Sequence, residues 1–313
     1  MNYKCFSSQR CFGVELETSQ TLTQDRVKDI IASSDTPRGV SLTNWGASKN
    51  NRDWHVKMDA SCGGGCDDWG WEIASYKACG VEDLISISKV AERLRNHGLK
   101  VNNNCGLHIH VEVNDFTTHR MGYLLARWMA VEHWLFNSVP FRRGTSVYCR
   151  ALRHIRPLNE KVGVKYTADD LWEHFKPEYK TYGSQDYRRV ALNLCNFYLE
   201  KDKQRKRRCT VELRLPEGTL RGVDVKNWVR FFVHLVETSA HDVKLSALHS
   251  PKLDDFFNAA GLGHDGEFSI LSPGLRETKL WLLKRLRKYQ FNRDSQEIED
   301  YLHRMTWPEK LAL

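Results

Sequence analysis

Three short segments decide most of what this chain can fold into: FGVELET at residues 12–18, LHIHVEV at 107–113 and TVELRL at 210–215. In each, apolar and ionisable residues alternate with period two, the period of a β-strand, whose successive side chains point to opposite faces. Glu15 and Glu17 therefore share one face while Val14 and Leu16 share the other. His108, His110 and Glu112 oppose Ile109, Val111 and Val113, and Glu212 and Arg214 oppose Val211, Leu213 and Leu215. The pattern predicts a sheet with one apolar face that needs a cover and one face of carboxylate, imidazole and guanidinium.

The remaining segments supply the cover. WHVKMD at 54–59 and WGWEIASY at 69–76 read as two further strands with the glycine-rich CGGGC between them, a hairpin signal. Helices are expected at 23–33, with Thr23 as N-cap and Val27, Ile30 and Ile31 as its apolar stripe, and at 82–97, closed by Gly98. A third is expected at about 120–138, where Met121, Leu124, Leu125, Trp128, Val131 and Leu135 recur at helical spacing. Residues 34–53, rich in Ser, Asn, Asp and Gly, predict a long loop. Segments 189–199 and 209–215 predict strands joined by a basic loop, and the chain from 224 onward reads mostly helical. Strands interspersed with helices of uneven length predict an α+β fold, a mostly antiparallel sheet with helices packed on one face. The expected division is a main domain over 1–240 and a helical C-terminal extension over 241–313.

Of 313 residues, 41% are hydrophobic, with 10 Trp, 13 Phe and 11 Tyr, which is enough apolar area for a core and unlike a disordered composition. No run of about 18 apolar residues predicts a membrane span, and the start MNYKCFSSQRCFGVELE carries no apolar signal core, so a cytoplasmic protein is expected. The nine cysteines are odd in number and irregularly spaced, and reduced thiols are expected. Cys62, Cys66, Cys79 and Cys105 can be drawn as a zinc site, but CxxxC with irregular partners is a weak pattern, and a simple turn is the better reading. Most of the net charge of +8 is local, since KDKQRKRR at 201–208 alone contributes +5.

A solvated strand face ordinarily carries Thr, Lys and Ser; these three carry the groups that bind divalent metals and polyphosphate. Carboxylates with an imidazole suit Mg²⁺ or Mn²⁺. An arginine among them would repel a cation, but its planar fork fits phosphate oxygens, so the combination points to nucleotide chemistry. No GxxxxGK[ST] loop is present.

In the order FGVELET, WEIAS (71–75), VNNNCGLHIHVEV (101–113), ALNL (191–194) and TVELRLPEGTL (210–220), the sequence resembles the amidoligases of the carboxylate-amine ligase superfamily, whose fold is related to glutamine synthetase and glutamate-cysteine ligase. The resemblance implies a glutamine synthetase-like catalytic core and an ATP- and Mg²⁺-dependent ligase (Mn²⁺ being the alternative ion) that joins a small carboxylate to an amine through an acyl phosphate. It places Glu15, His108 and Glu212 around the metal at the nucleotide's terminal phosphates and Glu17 and Glu72 around a second metal. Arg214 faces the transferred phosphoryl group, His110 is an outer-shell or substrate residue, and Asn193 contacts substrate or nucleotide.

Two other readings compete. A metal-dependent hydrolase would use His108 and His110 to activate water, but leaves Arg214 unexplained. A nucleic-acid-binding protein would use the 201–208 loop with Arg142, Arg143, Arg150, Arg153 and Arg156 near Tyr148, which also allows a nucleic acid or nucleotide as acceptor. Asp59, beside the hairpin turn, faces either the site or solvent.

Overall fold

The apolar residues that alternate through the three defining strands are all removed from water: Val14, Leu16, Leu107, Ile109, Val111, Val211 and Leu213 are at most 1% exposed. The computed structural model describes residues 10–34, 36, 38–43, 51–63, 69–155, 166–176, 188–198, 209–239, 252–263, 271–289 and 295–304. Among these, eight strands form one sheet: β1 (Cys11–Ser19), β2 (Val40–Leu42), β3 (Trp54–Asp59), β4 (Gly70–Ala74), β5 (Ala78–Cys79), β6 (Leu107–Glu112), β7 (Leu192–Asn193) and β8 (Thr210–Leu213). Their order is β2-β3-β4-β1-β6-β8-β7, with β5 beside β1. Every pairing is antiparallel except β2 with β3.

The helices are α1 (Gln24–Ala32), α2 (Gly80–Asn96), α3 (Thr118–Phe136), α4 (Phe141–Gly144), α5 (Leu152–Ile155), α6 (Ala168–Phe175), α7 (Cys195–Tyr198), α8 (Gly222–Thr238), α9 (Leu253–Ala259), α10 (Pro273–Tyr289) and α11 (Ser295–Arg304). Thr23 caps α1 through its side chain, as its sequence position predicts, and Gly98 follows α2 at a φ of 93°. Helix α8 packs on β6 and α2, and α10 packs on α8. Helix α3 packs on α6, α8 and α9. The result is the expected α+β layering, and no helix among the described residues is long and apolar enough to cross a membrane.

Three expectations need correcting. The predicted 34–53 loop contributes β2, a three-residue strand at the sheet edge, too short to show alternation. The predicted 189–199 strand shrinks to the two residues of β7, because the Asn193 side chain accepts the Cys195 amide and turns the chain into α7. The cysteines are not all free: antiparallel pairing of β1 with β5 sets Cys11 opposite Cys79 at a Cα–Cα distance of 4.4 Å, and the two form a disulfide. The 201–208 basic loop and most of the CGGGC turn lie outside the described residues.

Helix α3 approaches α6 through Gly122, where an added Cβ would meet the Ala168 carbonyl oxygen at 1.9 Å. Gly122→Ala must push the two helices apart and should cost about 1–3 kcal/mol; an unchanged Tm in thermal unfolding would refute this seat. His234 on α8 is buried and its Nε2 lies 2.8 Å from the Gly261 carbonyl. Burial lowers its pKa, the Gly261 carbonyl opposes the shift and Arg127 adds to it. Below about pH 6.5, the ordinary histidine value, the unfolded chain binds a proton that the folded chain refuses. Stability is thus lost on acidification, and His234→Gln should flatten that part of the Tm-against-pH curve.

Candidate active site

Strand register gathers the ionisable residues into three cross-strand rows on one face of the sheet. Lys57, Glu72 and Glu17 form the first; Glu15 and His108 the second; His110, Glu212 and Asn193 the third. Most of these side chains are held out of bulk water, Glu17, Glu72, His108, Asn193 and Glu212 being buried and Glu15 and His110 partly so.

The spacings between donors are those of ligands to a shared ion rather than of direct hydrogen bonds. His110 Nε2 lies 3.5 Å from Glu15 Oε2 and 4.0 Å from Glu212 Oε1, and this buried nitrogen has no hydrogen-bond partner among the described residues. His108 Nδ1 lies 3.5 Å from Glu15 and 3.7 Å from Glu212, and its Nε2 lies 3.5 Å from Glu17 Oε1. Two donors each about 2.1 Å from one cation at a tetrahedral angle stand about 3.4 Å apart. Glu15, His110 and Glu212 offer one ligand atom each, all within 4.8 Å of one another, and Glu17, Asp59 and Cys62 form a second such group. The donor set fits a divalent cation: two carboxylates and an imidazole in the first, two carboxylates and a thiol in the second.

The structure therefore brings together all eight residues singled out in the sequence, and rearranges them. His110 joins Glu15 and Glu212 in the first group, where the resemblance had set His108; His108 lies between the two groups with one nitrogen toward each. Glu72 is turned to Lys57, with Nζ to Oε2 at 2.7 Å, while Asp59 and Cys62 stand with Glu17. Asp59 thus faces the site. The zinc reading of four cysteines fails because Cys79 is bound to Cys11, and Cys66 lies outside the described residues.

Positive charge is placed as deliberately as negative. Arg214 Nη1 donates to Glu212 Oε1 at 2.5 Å, and Asn193 Nδ2 donates to Glu212 Oε2 at 2.7 Å, so both oxygens of this carboxylate are fixed. Arg214 Nε reaches the Tyr148 carbonyl at 3.4 Å, and the guanidinium is partly exposed. Burial opposes the charges of Arg214 and Glu212, yet their mutual attraction wins, raising the pKa of the first and lowering that of the second, with His110 and His108 also helping Glu212. His110 behaves likewise: burial disfavours its cation, but Glu15 and Glu212 prevail and raise its pKa. The Cys62 thiol is pushed far up by its hydrogen bond to Cys105, by burial and by Glu17 and Asp59, so without a cation it stays protonated.

Sequence reasoning missed three participants. Lys57 alternates with Val56 and Met58 in WHVKMD, and the same period-two reading would have found it. Cys62 was discounted as a turn residue. Arg143, read as part of an exposed basic segment, is only 5% exposed and donates to the backbone carbonyls of Arg214 and Leu215. Gly106 packs beside it, and a Cβ there would lie 2.5 Å from Arg143 Nη2 and 3.0 Å from His108 Nε2, so that both side chains would have to shift. Arg153, from the same segment, is tied to Glu132.

A face carrying this many carboxylates should be stabilised by a cation. Mg²⁺ or Mn²⁺ at a hundredfold excess over its Kd should add about 2.7 kcal/mol to unfolding, and Glu15→Gln should remove most of the increment. Identical melting curves with the cation and with a chelator would eliminate the site as a cation site.

Residues 8–236 match the family described as "Putative amidoligase enzyme". No curated protein matches the sequence. One similar solved structure is titled "GmaS/ADP complex-Conformation 1"; it shares 14% identity, with 96% of this chain and 72% of that chain covered and a TM-score of 0.32. With the match spanning the whole of the charged sheet face, from β1 to α8, the chain belongs to the amidoligase family.

Proposed function

We propose that this chain is an ATP-dependent ligase that forms an amide from a small carboxylate and an amine through an acyl phosphate. The observation that carries the reading is the Glu15–His110–Glu212 group with Arg214 hydrogen-bonded to Glu212, on the sheet face of an amidoligase-family chain. A site of carboxylates alone would serve any divalent cation; a guanidinium locked among them serves an anion that arrives with the cation.

Glu15, His110 and Glu212 would hold one divalent cation and Glu17 a second, with His108 between them. Bound there, the cations would neutralise phosphate charge and lessen repulsion between two approaching anions. The substrate carboxylate oxygen attacks the γ-phosphorus of ATP, the bond to the β,γ-bridging oxygen breaks, and ADP leaves. Arg214, held by Glu212 in a fixed orientation, offers its free edge to the phosphoryl oxygens as negative charge spreads over them. The amine nitrogen then attacks the acyl carbon, phosphate departs with the C–O bond electrons, and the amine loses a proton. Phosphorylation is needed because a free carboxylate would otherwise have to expel oxide. The Arg214 contact argues against the hydrolase reading, which has no use for an anion-binding group there.

The test is release of ADP and phosphate from ATP with pooled amino acids and amines. Release should require both substrates, and Arg214→Ala should lower it by roughly 10²–10³-fold, the loss expected for one preorganised charge-stabilising group. Amide hydrolysis without nucleotide would overturn the proposal.

A further inference from the structure

We propose that the cation position at Glu17 is a mixed thiolate and carboxylate site in which Cys62 is a ligand, selecting a borderline ion such as Zn²⁺ over Mg²⁺. The inference deepens the reading of this face as a cation site, but needs neither ATP nor ligase turnover.

The ligand atoms of Glu17, Asp59 and Cys62 lie within 4.8 Å of one another. Cys62 has no exposure to solvent and Glu17 only 6%. Each is fixed from outside the group. Glu17 Oε2 accepts the Gly106 amide, which leaves Oε1 toward the site, and Asp59 Oδ1 accepts the Ser61 amide and hydroxyl. The backbone around Cys62 is pinned by Asn102, whose Nδ2 donates to the Cys62 carbonyl at 2.7 Å. Gly70 packs directly on Cys62, where a Cβ would stand 2.3 Å from the cysteine's own. The thiol is thus lodged in place.

An independent observation points to the same position. His108 is 3% exposed, and its Nε2 points at Glu17 Oε1 from 3.5 Å, beyond hydrogen-bonding length. Because His110 completes the group with Glu15 and Glu212, His108 is released from that duty. A neutral imidazole has one lone pair. With the Nε2 lone pair turned to the Glu17 side, Nδ1 carries the proton and faces Glu15 at 3.5 Å and Glu212 at 3.7 Å. Sulfur and two carboxylate oxygens make a three-ligand set that suits zinc with a position left open, and His108 stands beside it. Mg²⁺, which demands six hard oxygen ligands and dehydrates reluctantly, gains nothing from the sulfur. On coordination the Cys62 S–H bond breaks, the sulfur's electron pair goes to the metal and one proton goes to solvent.

The two positions would then hold different ions, a harder one beside Arg214 and a borderline one at Cys62. The experiment titrates the metal-free full-length protein with Co²⁺, a spectroscopic stand-in for Zn²⁺, and follows the near-ultraviolet sulfur-to-cobalt charge-transfer band. The band should grow in the unmodified chain and in Glu15→Gln, vanish in Cys62→Ser of unchanged circular dichroism, and bleach on addition of one equivalent of Zn²⁺. It should survive a roughly hundredfold excess of Mg²⁺. No band in the unmodified chain, a band that persists in Cys62→Ser, or bleaching by Mg²⁺ each overturns the proposal. Should Cys62→Ser fail to fold, X-ray absorption of the Zn²⁺-loaded unmodified chain decides: a sulfur at about 2.3 Å supports the site, and a shell of nitrogen and oxygen alone refutes it. Band without ligase activity rejects the proposed reaction and leaves this site standing; activity without the band does the reverse.

Discussion

Four glutamates, Glu15, Glu17, Glu72 and Glu212, share one face of the sheet with two histidines, and the repulsion among them is the constraint to which the surrounding structure answers. Two like charges about 4 Å apart at a partly buried site cost roughly 4 kcal/mol, so the carboxylates can stay ionised only where a counter-charge is within reach. The chain provides two of its own. Lys57 takes Glu72, and although burial works against the lysine's charge, Glu72 keeps its pKa raised. Arg214 takes Glu212. Glu15 and Glu17 face imidazoles at ligand spacing.

Such a layout needs a rigid backing. The opposite face of the same strands is seamless apolar core, and each charged side chain is one residue away from a buried valine, leucine or isoleucine. A slip of one residue in the register of β6 against β1 would exchange these faces, burying His108 and His110 in the helical layer, so the hydrophobic pattern that folds the sheet also fixes the ligand geometry. Arg143 extends this coupling beyond β8: by binding the carbonyls of Arg214 and Leu215 it holds the stretch where the strand has ended but the functional arginine has still to be aimed. Glu212, with one oxygen on Arg214 and the other on Asn193, links the third row of the sheet to that stretch.

What was legible in the sequence follows from period. Alternation over six or seven residues revealed β1, β6 and β8 and which of their residues share a face, and helical spacing revealed α1, α2 and α3 close to their observed bounds. Beyond the hairpin of β3 with β4, pairing was not legible, because no single strand carries information about a neighbour distant in sequence. That is why the composition of each ligand group escaped: Asp59 and Cys62 meet Glu17 only through the order β3-β4-β1, and His110 meets Glu212 only through β6 against β8. The Cys11–Cys79 disulfide escaped for the same reason, one partner lying in a two-residue strand with no pattern of its own. Arg143 was misread because a basic segment looks solvated until the carbonyls it serves are known.

His108 is the residue on which the two halves of the site turn. Its ring spans the gap between the groups, Nδ1 toward Glu15 and Glu212 and Nε2 toward Glu17. In the proposed site an imidazole that turns its lone pair to one cation carries its proton on the other nitrogen, so occupancy of one position would fix the tautomer that the other sees. A side chain at Gly106 would press on this ring at 3.0 Å, and the same glycine's amide orients Glu17. Ring orientation and carboxylate orientation are therefore set by one backbone segment, the turn that leads into β6. If cations occupy both groups as proposed, the ring shared between them couples the two positions, which should then fill in sequence rather than independently.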